Sequence, residues 1–267
     1  MRNVRLTISY DGADFQGWQY QGPIKRTVQA TLEAAVEEIT GVFTRVCASS
    51  RTDAGVHALG QAVNFLTDTQ LDNYSLRRGL NAVLPDDISV LTLVDAPWQL
   101  HVTRDACRKR YRYVIQDGRI MDPIGRRHAW FVPHHLDEEA MQAATSQLIG
   151  EHDFRAFQST GSSRQSTIRT IYDLTIARRP TEFGDHIIIE VEADGFLYNM
   201  VRNIAGSMVV VGRKKESATW LTDVLATRDR RRAGMTAPAH GLFLLWVKFP
   251  YDEMEEPSAI SPSVRDA

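Results

Sequence analysis

The sequence predicts an α+β fold built from two similar halves, and two observations support this prediction. Short segments in which apolar and polar residues alternate, the pattern of half-buried strands, recur along the 267 residues. Helix-like segments separate these strands in the order β-α-β-β-α-β, and that order occurs twice. Two such units predict two ferredoxin-like halves, each with an antiparallel sheet that helices cover on one face.

The first half is predicted to span residues 1–105 and to contain four strands and two helices. Thr27 can cap the first helix, because its hydroxyl can accept a hydrogen bond from the first turn, and Gly41 can end it. Pro85 follows the second helix, which it cannot continue. In chain order, we expect the strand 4–9, the helix 27–41, the strands 42–48 and 61–66, the helix 73–81 and the strand 88–94.

The second half is predicted to span residues 106–250 and to repeat this order with one added helix. One segment is apolar on all sides and is therefore expected to be a buried helix. In chain order, we expect the strand 109–116, the helix 137–149, the strands 170–177 and 186–193, the helices 196–211 and 219–226 and the strand 242–249. Residues 251–267 are acidic and poor in apolar residues, so we expect a disordered tail.

Composition excludes several classes of protein. No stretch approaches the roughly 18 consecutive apolar residues of a membrane helix, and the first residues lack the apolar core of a signal peptide, so a cytoplasmic location is expected. Cys47 and Cys107 are far apart and have no Cys or His at metal-ligand spacing, so we expect neither a zinc site nor a disulfide. No phosphate-binding glycine pattern occurs, and no nucleotide cofactor is expected.

Basic residues form two clusters that suit an RNA partner. The net charge is −2, but arginine makes up most of the 31 basic residues, and its guanidinium pairs with phosphate and stacks on bases. The clusters comprise Arg104 with residues 108–113, where tyrosines alternate with basic residues, and residues 228–232. The alternative is a charged strand face exposed to solvent, and composition alone favours this alternative.

The loop at residues 49–61 combines an Arg, an Asp and a His between two predicted strands. Asp53 has three possible roles there: it can cap backbone N–H groups or pair with Arg51, it can act as a general acid or base, or it can be a nucleophile. A cation two residues away would keep the carboxylate ionised. A triad of Ser50, His57 and Asp53 is rejected because triad members come from distant segments. His57, with no orienting partner in the loop, is expected to be structural.

The same loop closely resembles the Arg-Thr-Asp-Ala-Gly-Val-His signature of the tRNA pseudouridine synthase A family. Further blocks follow in the family's order over about residues 4–249: Tyr10-Asp11-Gly12, Phe15-Gln16-Gly17-Trp18-Gln19 and the segments 80–85, 109–113, 153–157, 196–204 and 236–244. The resemblance implies an isomerase that converts uridine to pseudouridine in the anticodon stem-loop of tRNA, at positions 38, 39 and 40. It also implies a homodimer without metal or cofactor, with two ferredoxin-like halves around a central active-site cleft.

The resemblance further implies roles for five residues. Asp53 is the expected catalytic nucleophile and Arg202 its ionic partner. Arg51 is expected to help extrude the target nucleotide. Tyr111 is expected to lie against the target base, with Leu242 also in the substrate-binding site.

Two positions depart from the family pattern. Ser50 stands where the family usually has glycine, and a serine would be strained there if the backbone required a positive φ. Thr103 stands where the family often has an arginine, with Arg104 one position later, so a phosphate contact is expected to be lost or shifted.

Two other classes of function remain open at this point: a catalytically silent RNA-binding protein and an Asp-dependent hydrolase of small substrates.

Overall fold

The computed structural model describes residues 1–161, 166–181, 184–250 and 252. Its strands are, in chain order, β1 (Arg2–Tyr10), β2 (Cys47–Ala48), β3 (His57–Thr67), β4 (Ile88–Ala96), β5 (Arg108–Asp117), β6 (Trp130–Val132), β7 (Gly150–Asp153), β8 (Ile168–Thr181), β9 (Gly184–Ala193) and β10 (Leu242–Lys248). Its α-helices are α1 (Val28–Thr40), α2 (Asn73–Val83), α3 (Val102–Asp105), α4 (Glu138–Ala144), α5 (Met200–Gly212) and α6 (Trp220–Thr227). The chain is therefore a mixed α+β protein, as its sequence predicts.

The strands of the described residues form one ten-stranded sheet in the order β4-β1-β3-β10-β5-β9-β8-β7, with β2 beside β3 and β6 beside β5. Two pairs are parallel, β3 with β10 and β5 with β6. The prediction of separate antiparallel sheets needs correction, because Phe243 and Leu244 of β10 pair with His57 and Ala58 of β3. This pairing joins the two halves edge to edge, and alternation within a strand carries no information about it.

The first predicted helix has the ends that its sequence suggests. Thr27 accepts a hydrogen bond from the N–H of Ala30 at 3.3 Å. Gly41 adopts a left-handed φ of 74° and donates its N–H to the carbonyl of Glu37 at 2.8 Å. A glycine takes this conformation without a steric penalty, which explains why the helix ends there.

The predicted strand 42–48 is wrong over most of its length, since only Cys47–Ala48 pairs in the sheet. The carboxylate of Glu33 accepts the N–H of Val46 at 3.1 Å and the guanidinium of Arg45 at 2.9 Å. A side chain of α1 thus replaces the strand partner. The predicted helix 137–149 also ends early, at Ala144, and continues as a short 3₁₀ turn.

One large apolar cluster contains residues of both halves. Alternate residues of β1 enter it, and almost all of α5 is buried, as its apolar sequence predicts.

The predicted acidic tail lies outside the described residues except for Asp252, whose carboxylate accepts a hydrogen bond from Arg5 at 2.7 Å. Within the described ranges, no helix combines the length and apolar character needed to cross a bilayer.

Candidate active site

The loop that carries Asp53 leaves β2 and enters β3, and buried polar side chains hold its backbone. Gln61, which is fully buried, accepts hydrogen bonds from the Ser49 hydroxyl at 2.8 Å and from the Ser50 N–H at 3.3 Å. It also donates to the Ser50 carbonyl at 2.7 Å. On the other side, the hydroxyls of Tyr10 and Thr52 lie 2.7 Å apart. Satisfied buried hydrogen bonds of this kind fix a backbone in one conformation.

Asp53 lies beside the first turn of α5. A guanidinium nitrogen of Arg202 is 3.3 Å from its carboxylate, and Arg202 also donates to the side chain of Asn199 at 2.8 Å and to the carbonyl of Ala237 at 2.7 Å. Burial raises the pKa of the Asp53 carboxyl, and the charge and hydrogen bond of Arg202 oppose that rise. The cation that pairs with Asp53 is therefore Arg202, from 149 positions away, whereas the loop alone suggested Arg51.

The predicted site residues meet in one cleft of about 410 Å³. Asp53 lies in its wall with its side chain 32 % exposed, so solvent can reach the carboxylate. Arg51 is exposed at the same cleft. The lining consists of Ala48, Ser49, Ser50, Arg51, Thr52, Asp53, Val56, Thr103, Lys109, Tyr111, Gly161, Phe196, Leu197, Tyr198, Asn199, Met200, Val201, Arg202 and Leu242.

Tyr111 is a nearly buried side chain of β5 that faces the cleft. Its ring meets the edge of Phe196 at a centroid distance of 5.1 Å. Burial raises its pKa to about 12, the hydrogen bond to the Ser50 side chain lowers it, and the charge of Asp53 raises it. The phenol is consequently protonated near neutral pH and can donate a hydrogen bond.

Of the two departures from the family pattern, Ser50 lies in the loop that carries Asp53 and Thr103 contacts the strand before it. The non-glycine residues with positive φ in the described part of the chain are Asn199, Lys214 and Arg228, so Ser50 is not in the strained conformation that glycine would relieve. The Thr103 hydroxyl donates to the carbonyl of Ala48 at 2.6 Å. Thr103 therefore supports the end of β2 from which the loop departs.

The arginines of β5 lie on the sheet face opposite the cleft, because side chains alternate along a strand and Tyr111 faces the cleft. Arg110 donates to Glu190 at 2.9 Å and to Asp173 at 2.8 Å, and Arg112 donates to Glu190 at 2.6 Å. These carboxylates neutralise Arg110 and Arg112. The geometry therefore favours the charged-strand alternative for Arg110 and Arg112 over phosphate binding.

His57 contacts backbone groups of neighbouring segments and is not among the residues that line the cleft. Its Nε2 lies 3.0 Å from the carbonyl of Arg127 and 3.1 Å from that of His240, and its Nδ1 accepts the N–H of Gly12 at 3.0 Å. Burial lowers the pKa of His57 against the charge of Asp11, which favours the neutral ring. This geometry matches the structural role predicted for it.

A possible metal site occurs near this histidine. Ligand atoms of Asp11, His57 and His128 lie within 4.8 Å of one another. The N–H of Gly12, however, uses the Nδ1 lone pair that a metal ion would need. Only two ligands would remain for an ion at this position.

Several cleft residues were not singled out by the sequence reasoning. Asn199, which holds Arg202, has a left-handed φ of 60°, a conformation that asparagine tolerates better than most residues. Phe196 packs on Tyr111, and Tyr198 is exposed at the cleft. The block 196–204 contains all of them, but no spacing within it indicates which side chains reach a loop so distant in the chain.

A family model described as tRNA pseudouridine synthase matches residues 6–103 and 144–250. The chain belongs to this family of RNA-modifying isomerases. A relative from Thermoanaerobacter sp., named tRNA pseudouridine synthase A, is 46 % identical over 92 % of this chain and 98 % of its own. One of the same name from Roseiflexus sp. is 44 % identical over 97 % of this chain and 96 % of its own.

The chain is also similar to a solved archaeal box H/ACA complex of Nop10 and Cbf5. That likeness has a TM-score of 0.34 and 11 % identity, over 77 % of this chain and 43 % of the other. It is too low to add to the family assignment.

Proposed function

We propose that this member of the tRNA pseudouridine synthase family converts uridine to pseudouridine in the anticodon stem-loop of tRNA, at positions 38, 39 and 40, with Asp53 as the catalytic nucleophile. The observation that carries the proposal is the Asp53 carboxylate in an open cleft, 3.3 Å from Arg202 and beside the phenol of Tyr111. Carboxylates form covalent intermediates at sugar carbons and other electrophilic centres in several enzyme classes.

The reaction balances within the substrate. The N1–C1′ bond breaks, the base rotates, and a C5–C1′ bond forms while C5 loses a proton and N1 gains one. No redox step or group donor is needed. Asp53 acts as the nucleophile toward either the base or the ribose, and Arg202 keeps it ionised and oriented despite the burial that raises its pKa.

The target uridine must leave the stem before the carboxylate can reach it, and unstacking costs a few kcal/mol. Tyr111 can recover about 1–3 kcal/mol by stacking on the extruded base. Arg51, exposed at the same cleft, assists extrusion by contacting the RNA backbone. Leu242 is 7 % exposed at the start of β10 and provides an apolar contact for the base.

We also propose that residues 1–105 and 106–250 are two ferredoxin-like units. The observed strand orders β4-β1-β3-β2 and β10-β5-β9-β8 support this proposal, since each places the fourth strand beside the first and the third beside the second.

The family resemblance supports a homodimer. Sedimentation equilibrium would measure twice the monomer mass, and a monomer at micromolar concentration would contradict that part of the proposal.

The test is tritium release from unmodified tRNA that carries tritium at uridine C5. The wild-type protein should release it, and Asp53→Asn, which keeps the side-chain shape, should abolish release while tRNA binding persists. The exposed Asp223→Asn serves as a matched control and should leave release unchanged.

Two outcomes would support the alternative functions. Salt-sensitive tRNA binding without release from any tRNA would favour a silent RNA-binding protein. Activity on small substrates without salt-sensitive tRNA binding would favour a hydrolase.

A further inference from the structure

We propose that Arg230 is a positioning residue, whose guanidinium points into the protein and holds the segment 234–237 that fixes Arg202 against the Asp53 carboxylate. The inference rests on the proposed function. It gives Arg230 a role different from the RNA contact that the basic cluster 228–232 suggests, because the side chain acts on the reaction through Arg202 and does not need to touch the RNA.

Arg230 differs from the next residue of its cluster in where its side chain lies. One terminal nitrogen of its guanidinium donates to the carbonyl of Gly234 at 2.8 Å. The other donates to the side-chain oxygen of Asn203 at 2.8 Å and to the hydroxyl of Thr236 at 2.9 Å. Arg231, by contrast, has a side chain that is 89 % exposed. The donors of Arg230 are thus directed at protein acceptors on two segments, which its planar fork can join.

The partners of this segment on α5 are buried, so they tie it to the interior of the protein. Asn203 and Ser207 lie about one turn apart on α5 and are fully buried. Asn203 accepts the Thr236 hydroxyl at 2.7 Å and donates its amide to the carbonyl of Phe157 at 2.7 Å. Ser207 accepts the N–H of Gly234 at 2.9 Å. A buried polar network with satisfied members holds one arrangement, and Arg230 joins this one from the other side.

The end of this segment binds Arg202 through two hydrogen bonds. The N–H of Ala237 donates to the backbone carbonyl of Arg202 at 3.1 Å, and the carbonyl of Ala237 accepts Nε of the Arg202 side chain at 2.7 Å. The same guanidinium lies 3.3 Å from the carboxylate of Asp53. Because Ala237 directly follows Thr236, a displacement of Thr236 moves the carbonyl that orients the guanidinium. Small errors in the placement of reacting groups slow catalysis strongly.

The experiment compares tritium release by wild type, Arg230→Met and Arg231→Met over a range of pH. The attraction between Arg202 and Asp53 falls with distance, so the displaced guanidinium should let the acidic limb of kcat/KM rise by about 0.5–1 pH unit in Arg230→Met. The kcat should fall by about three- to tenfold, with little change in KM for tRNA. Arg231→Met removes an exposed guanidinium from the same turn and should leave the limb at the wild-type pH.

A double-mutant cycle tests whether Arg230 acts through Arg202. In the Arg202→Gln background, Arg230→Met should cause no further shift of the acidic limb, because the charge that it positions is gone. The proposal is overturned if Arg230→Met leaves the limb of wild type in place, or if it shifts the limb equally without Arg202. A raised KM with a weaker salt dependence and an unmoved limb would assign Arg230 to phosphate binding instead.

A spectroscopic measurement without tRNA separates this inference from the proposed function. With arginines labelled by nitrogen-15, Arg202→Gln identifies the Nε–H resonance of Arg202 by its disappearance. The bond to the carbonyl of Ala237 protects this proton from exchange with solvent. Arg230→Met should accelerate the exchange by about tenfold, whereas Arg231→Met should leave it at the wild-type rate.

A second variant covers the case in which Arg230→Met does not fold. Thr236→Val keeps the side-chain shape and removes only the hydroxyl that joins Arg230 to Asn203. It should accelerate the same exchange to a smaller extent. An unchanged exchange rate in either folded variant would refute the inference, whereas a wild-type protein that releases no tritium would refute the proposed function and leave this measurement readable.

Discussion

Replacing Arg202 should move the pH dependence of the reaction by an amount that the structure allows us to calculate. Its guanidinium is 3.3 Å from the Asp53 carboxylate. At this distance two unit charges attract by about 1 kcal/mol in bulk water and about 5 kcal/mol at an effective dielectric constant of ~20. Asp53 is 32 % exposed and Arg202 17 %, so the lower part of this range applies. Loss of the cation should raise the pKa of Asp53 by about 1–2 units.

The assay is the pH profile of kcat/KM for tritium release. A nucleophilic carboxylate must be ionised, so activity falls as the pH drops through its pKa. Arg202→Gln removes the charge, and its acidic limb should therefore lie about 1–2 pH units above that of wild type. Arg202→Lys keeps a cation and should have a limb close to that of wild type, although it loses the fork that also binds Asn199 and Ala237.

A limb that stays in place or moves to lower pH in Arg202→Gln would refute the reasoning. It would mean that the observed limb does not report Asp53, or that the attraction is screened entirely. A uniform loss of rate at every pH would assign Arg202 to orientation alone. Melting temperatures of both variants would separate these outcomes from unfolding.

Two further predictions concern stability and packing. Asp117→Asn should lower the free energy of unfolding in urea by about 3 kcal/mol at pH 7, because it leaves the partly buried Arg178 without its main partner. The control is Asp68→Asn at an exposed position, which should change this free energy by less than about 0.5 kcal/mol. In the folded protein the arginine partner lowers the pKa of Asp117 against the effect of burial. The stabilisation is therefore complete at a pH above the pKa that Asp117 has in the unfolded chain. It is lost as the pH falls through the lower pKa that Asp117 has in the folded protein. The unfolding free energies of wild type and Asp117→Asn should therefore converge in acid. A difference that stays constant with pH would contradict the pairing. Gly206→Ala should lower both the melting temperature and kcat, because its Cβ would lie 1.8 Å from the carbonyl of Met235, beside the loop that holds Arg202. The control is Gly195→Ala, whose Cβ would meet only a side chain at 3.6 Å and which should be tolerated. Equal melting temperatures for the two glycine variants would contradict this close approach.

Local patterns predicted most of the elements because helix caps, alternation and apolar periodicity depend on residues that are near in sequence. The cap by Thr27 and the turn at Gly41 are examples. The strand 42–48 failed because the competing partner, the carboxylate of Glu33, belongs to another element. The role of the basic cluster in β5 stayed open for the same reason, since Glu190, which pairs with Arg110 and Arg112, belongs to β9.

The sequence by itself determined the α+β class, the loop that carries Asp53 and, through family resemblance, the residues of the site. Only the tertiary structure decided that both halves share one sheet, that Arg110 and Arg112 face away from the cleft, and that Thr103 bonds the carbonyl of Ala48. The physical reason is the range of the interactions. Alternation and capping are written in neighbouring residues, whereas strand partners, burial and ion pairs depend on side chains brought together from distant parts of the chain, as Arg202 is brought to Asp53.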